Sequence, residues 1–134
     1  MSTNLDLVRS IYADWEQGDY SSGEWADSDI ELVIPDGPTL GRWRGLAGMA
    51  EAFRAVVSAF DRLTVEVEGY RELDDTHVLV LVRARGVAKT SGIRLDQIGG
   101  ERTALLVSLR DGKVTRLVAY FDRDRALADL GLEA

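Results

Sequence analysis

The chain has 134 residues, 46% of them hydrophobic and 29% charged, which is the make-up of one globular domain rather than of a disordered segment. With no cysteine and a single histidine, His77, disulfides and thiolate metal sites are excluded and a histidine-based zinc centre is not expected. A formal charge of −7 argues against nucleic acid as a partner, no apolar run approaches the ~20 residues of a membrane helix, and the start MSTNLDLVRS has no basic-then-apolar leader, so a cytoplasmic home is expected.

In chain order, Thr3-Asn4-Leu5-Asp6 reads as a capping-box-like helix start. Leu5, Val8, Ile11, Tyr12 and Trp15 follow at helical spacing, and Gly18 ends the helix. A second short helix is read from Tyr20 to Trp25, then a turn at Asp27-Ser28-Asp29. Ile30 to Ile34 is β-rich and is broken by Pro35-Asp36-Gly37-Pro38. Gly41 to Gly45 is an extended link carrying Trp43, and Leu46 to Phe60 is helical, with Met49, Phe53, Val56, Val57 and Phe60 on one side.

The second half is strand-rich. Leu63 to Leu73 alternates as a strand, Asp74 to His77 is a hairpin turn, and Val78 to Lys89 is a long strand interrupted at Gly86. After a turn at Thr90-Ser91-Gly92 come strands from Ile93 to Ile98 and from Glu101 to Arg110. Asp111-Gly112 is a strong hairpin signal before a last strand, Lys113 to Phe121. Asp122 to Leu130 is a short helix stopped by Gly131, with Asp122 placed as its N-cap. Helices first and consecutive strands afterwards give an α+β class with a mostly antiparallel sheet, and residues 1–134 form a single domain.

Several of these segments, taken in order, resemble the SnoaL-like group of the nuclear-transport-factor-two-like, or ketosteroid isomerase-like, superfamily. They are Val8 to Trp15 with Gly18-Asp19, Asp29-Ile30-Glu31 before Pro35, Gly41-Arg42-Trp43-Arg44-Gly45, Leu109 to Val114, and Tyr120 to Leu132. The resemblance implies a cone-shaped, strongly curved sheet wrapped around the N-terminal helices. It also implies a pocket for a small-molecule ligand or substrate, no cofactor, and a homodimer. Members include ketosteroid isomerases, limonene-epoxide hydrolases, polyketide cyclases and non-catalytic domains, so the fold leaves the activity open.

Against the isomerase pattern, the helix tyrosine falls on Ile11, the base on Ile34 and the oxyanion-hole aspartate near Leu105, so all three polar groups are missing. Against the hydrolase pattern, the last-strand aspartate falls on Ala119 and the middle-strand Arg-x-Asp pair on Arg83 and Arg85. Arg94-Leu95-Asp96 spells that pair one strand too late, and the hydrolase reading requires it to point into the cavity.

Strand alternation then gives a pocket floor of Leu105, Val107, Leu117, Ala119 and Phe121, joined by Ile11, Trp15, Ile34 and Phe53. Three candidates for chemistry stand beside it. Asp36 is either a general base at the mouth or a turn residue bonding local backbone. Arg83, with Arg85, is either an inward anion stabiliser or a strand arginine in a structural ion pair. Asp96 is either an acid/base group with Arg94 or a solvated neighbour of it. Trp43, flanked by two arginines, is the aromatic candidate for stacking on a ligand. These residues leave two readings: a cofactor-free cyclase or isomerase moving a proton next to a carbonyl, and a non-catalytic ligand-binding or dimerisation domain.

Overall fold

The apolar stripe of the first segment makes helix α1 (Thr3–Glu16), with Val8, Ile11, Tyr12 and Trp15 buried. Gly18 ends it at φ 82°, where the Gly18 amide donates to the Trp15 carbonyl (2.9 Å) and the Asp19 amide to the Asp14 carbonyl (2.9 Å). Thr3 is already inside the helix rather than capping it. This computed structural model describes residues 3–19, 23–37, 40–89, 91–98 and 101–132. Tyr20 to Ser22, Pro38 and Thr90 lie outside the described residues, and Gly23 to Trp25 is turn rather than helix.

The remaining elements are β1 (Ala26–Ile34), β2 (Gly41–Arg44), α2 (Gly45–Ala59), β3 (Phe60–Asp74), β4 (His77–Ala88), β5 (Arg102–Arg110), β6 (Lys113–Tyr120) and α3 (Arg123–Asp129). The strands form one mixed sheet in the order β2-β1-β6-β5-β4-β3. Every neighbouring pair is antiparallel except β1 and β6, which run parallel with Leu32 opposite Leu117. The class is α+β as the sequence implies, with helices against a curved sheet and a short C-terminal helix.

Four local expectations are corrected. Asp27 to Asp29 lies within β1, where the Asp29 amide donates to Asp27 Oδ1 (2.8 Å) beside a register shift, so turn chemistry is spent on a bulge. Gly41 to Arg44 is an edge strand, not a link. β4 runs through Gly86 without a break; a Cβ there would lie 3.4 Å from Leu63 and Phe60, so the glycine admits the close approach of β3. The strand read over Ile93 to Ile98 is a 3₁₀ turn, Leu95–Ile98, tied to β4 by one bridge, Val87 to Arg94. Its Arg94 amide is satisfied by Gln97 Oε1 (3.0 Å) instead of by a strand partner.

The core has two layers. On the inner face Leu32, Val80, Leu105 and Leu117 pack against α1 and against Met49 and Ala52 of α2. On the outer face Val33, Leu79, Ala104, Val118 and Tyr120 pack against Ala126 and Leu127 of α3. β4 is therefore apolar on both sides, which explains its unbroken run Val78-Leu79-Val80-Leu81-Val82. Asp122 caps α3, accepting from the Asp124 amide (3.0 Å), and Asp111 and Gly112 turn the last hairpin at φ 53° and 76°.

The turn between β3 and β4 carries a pH effect. Asp74 accepts from the Thr76 amide (2.8 Å) and sits 2.9 Å from His77 Nδ1, and these bonds hold its carboxyl down to about 2. A folded value below the ordinary one contributes stability that is complete above about pH 5 and is lost as the pH falls toward 2. Asp74→Asn is accordingly expected to flatten the acid limb of a urea-midpoint-versus-pH curve. An unchanged slope below pH 4 would contradict this assignment.

Candidate functional site

Between α1, α2 and the inner face of the sheet lies a cavity of about 200 Å3. One water needs only about 10–15 Å3 on this scale, so the space is sized for an organic molecule. Leu105 and Ala119, opposite one another on β5 and β6, form part of its floor with Leu117 and Ile34. An aromatic wall closes one side: Trp15 meets Tyr12, Phe53 and the deeper Trp25 edge-on, with centroids 4.8, 5.4 and 5.9 Å apart. Val57, Phe60, Leu63, Leu95 and Phe121 complete the mouth.

Eight of the residues assigned to the pocket from sequence line this space: Trp15, Ile34, Phe53, Leu105, Leu117, Ala119, Phe121 and Asp36. Ile11 and Val107 are instead buried in the packed core. Tyr12, next to Ile11, is the α1 residue at the cavity wall with Trp15. Neighbouring residues on a helix point only about 100° apart, so both fit within one apolar arc and spacing cannot rank them. Trp43 shares the inner face with its strand partner Leu32, but its ring lies over Gly41, where a Cβ would come within 2.5 Å. It packs on the core and does not line the cavity.

The three candidates for chemistry are not brought together. Arg83 occupies the outer face, because Val82 and Ala84 on either side of it face the cavity. There it pairs with Glu101 (Nη1 to Oε1, 2.7 Å) and Glu68 (Nε to Oε2, 3.4 Å), so of its two readings the inward anion stabiliser is corrected and the strand arginine in an ion pair is what forms. Arg85 and Asp96 line a separate cleft, where Asp96 binds Arg94 Nε at 3.0 Å. Neither Arg94 nor Asp96 reaches the cavity, and the condition set for the hydrolase reading is not met.

Asp36 does stand at the mouth and is the carboxylate among the cavity's lining residues. Its Oδ1 accepts from the Phe121 amide (2.7 Å) and its Oδ2 from the Asp122 amide (3.0 Å). Among the described residues, its bonds are thus to distant backbone. A carboxylate has about four acceptor positions, of which these bonds take two.

Residues 8–117 match the family described as the SnoaL-like domain. The chain belongs to the SnoaL-like family. Uncharacterized proteins of Mycobacterium tuberculosis and Mycobacterium bovis are 31% identical to it over 121 residues, covering 88% of each chain. Among solved structures, an NTF2-like protein from Burkholderia thailandensis is similar with a TM-score of 0.75 at 21% identity, covering 89% of this chain and 90% of that one. TerC, co-crystallized with polyporic acid, gives 0.72 at 23% identity, covering 96% and 98%. A candidate polyketide cyclase from Xanthomonas campestris gives 0.67 at 18%, covering 94% and 95%. At such identities these structures share the fold with this chain. No helix among the described residues is long and apolar enough to cross a membrane.

Proposed function

We propose that this SnoaL-like protein binds a small, apolar, ring-containing molecule in the cavity, oriented at the mouth by Asp36 and along the wall by Tyr12. The observation that carries this is the wall itself: three edge-packed aromatics facing an aliphatic floor, with a carboxylate among the lining residues. Apolar concavities with a few placed polar groups are the usual form of small-molecule sites. The co-crystal of TerC with polyporic acid is a precedent for an organic ligand on this fold. A cytoplasmic, homodimeric protein is part of the same proposal and is checked by fractionation and light scattering.

A second reading, proton transfer next to a carbonyl, is favoured by one feature: Asp36 is the acid among the lining residues and keeps acceptor capacity. In that reading Asp36 takes the proton. Arg83 and Asp96 have no position from which to share the step.

The test is a thermal-shift screen with polyketides, steroids, terpenoid epoxides and aromatic acids, run on the parent and on Ala119→Phe. Ala119 is half-buried opposite Leu105, so phenylalanine fills the space where a ligand would lie. A ligand at a hundred times its Kd stabilises by about 2.7 kcal/mol, which is a readily seen shift in Tm. The expected result is a hit on the parent that is lost in Ala119→Phe. A hit that persists undiminished in the variant would place binding elsewhere and sink the proposal.

A further inference from the structure

The charge around the cavity has one sign. Among the described residues that line it, Asp36 is the charged side chain, and there is no lysine, arginine or histidine. Arg83 and Arg123 lie on the outer face of the sheet, where each pairs with Glu68. Arg125 comes close to the same loop, donating to the Pro35 carbonyl (3.1 Å), but its ion pair is with Asp129 (3.8 Å). Asp36 has no ion pair among the described residues, and the whole chain is negative at −7.

An anion entering this space would find its donors spent. The Phe121 and Asp122 amides, just beyond β6, are taken by Asp36 itself (2.7 and 3.0 Å). The Thr103 hydroxyl donates to the Val82 carbonyl (3.3 Å), and the Tyr120 hydroxyl to Asp129 (3.3 Å). Tyr12 adds a hydroxyl, which serves neutral and charged ligands alike. A carboxylate buried without donors is strongly disfavoured, and here it would also meet the like charge of Asp36.

A cation meets the opposite conditions. Six of the lining residues are aromatic: Tyr12, Trp15, Phe53, Phe60, Tyr120 and Phe121. The faces of such rings attract ammonium groups. Asp36 is half-buried, so its charge is screened less than that of a fully exposed carboxylate. Its two amide bonds hold it in place and leave it the capacity to accept from an ammonium as well.

We infer that the ligand of this cavity is an organic amine, its ring along the aromatic wall and its protonated nitrogen beside Asp36. The inference rests on the reading of the cavity as a ligand site and narrows it from any apolar ring compound to a cationic one. Aromatic acids are then the class that the cavity rejects.

The probes share one ring system: 1-naphthylmethylamine is cationic, 1-naphthalenemethanol neutral and 1-naphthoic acid anionic at neutral pH. Calorimetric titrations at low salt are run on the parent, Asp36→Asn and Ala119→Phe. The parent is expected to bind the amine about ten-fold more tightly than the alcohol, and the acid more weakly than either. Asp36→Asn should weaken the amine about ten-fold and leave the alcohol unchanged. Asparagine turns an N–H2 toward an amide that the carboxylate accepted, so the alcohol also checks that the cavity survives the substitution. If the alcohol is lost too, nuclear Overhauser contacts on the parent decide. Contacts from the amine's methylene to Gly37 and the Phe121 ring support the proposal, and a methylene away from both overturns it. Equal affinity of the parent for amine and alcohol, an acid bound as tightly as the amine, or an amine preference undiminished in Asp36→Asn overturns it as well. If none of the three binds the parent, or if binding is unchanged in Ala119→Phe, the reading of the cavity itself fails.

Discussion

Arg123→Ala is expected to lower the unfolding free energy by about 2–4 kcal/mol, measured by urea denaturation. Arg123 is the buried charged residue among those described, at 7% exposure, and it begins α3. Its guanidinium reaches across the outer face of the sheet. Nη2 donates to the Val82 carbonyl (2.9 Å) and to Glu68 Oε1 (2.5 Å), and Nε donates to the Thr103 carbonyl (3.3 Å). One side chain thus ties α3 to β3, β4 and β5. Glu68 is 32% exposed, so its ion pair is screened by solvent, and the larger part of the cost comes from the carbonyl bonds and the lost packing of the stem. The pair still leaves a trace in pH. The hydrogen bond from Arg123, then the charges of Arg123 and Arg83, hold the Glu68 carboxyl below its ordinary value against the opposing effect of burial. That contribution is present above the ordinary glutamate range and is lost as the pH falls through the lowered folded value. The variant should therefore lose less stability on acidification than the parent. A cost under about 0.5 kcal/mol would refute the bracing role.

Gly37→Ala is expected to cost about 2–4 kcal/mol and to move the ring of Phe121. Gly37 has φ 84°, where a Cβ is disfavoured by about 1 kcal/mol. An added Cβ would also lie 2.5 Å from Phe121 Cγ and 2.7 Å from Phe121 Cβ, and overpacking of this kind costs a further 1–3 kcal/mol. The neighbouring Asp36 pins the same loop to the Phe121 and Asp122 amides, so the loop cannot swing aside without breaking two bonds. Phe121 must yield, and it lines the mouth of the cavity. The checks are a urea melt and the chemical shifts of the Phe121 ring. A variant as stable as the parent with an unmoved Phe121 would show that the loop is not held.

What could be read from the sequence was local or periodic. The Asp111-Gly112 hairpin, the Asp122 cap and the Gly18 stop follow from residue chemistry within a few positions, and each forms as expected. The face of Arg83 is not legible in the sequence, for a physical reason. Val78 to Val82 is apolar on both faces because α3 covers the outside, so alternation along β4 carries no phase until Arg83 itself is located. Arg94-Leu95-Asp96 alternates like a strand, yet its single buried residue, Leu95, is plugged against Phe60 and Ala84 by a 3₁₀ turn. Asp36 reads either as a base at the mouth or as a residue of its own turn; its partners among the described residues lie 85 and 86 residues later, and no local pattern reports such a bond.

That long reach recurs in the parallel pairing of β1 with β6. On a ribosome, β1 and β2 emerge well before β6, the strand that β1 must lie beside. Until then the nascent chain presents the open edge of β1, rich in Ile30, Leu32, Val33 and Ile34. Seating of β1 thus waits for β6, and a ribosome stalled before residue 113 would hold a chain whose first strand lacks its parallel neighbour.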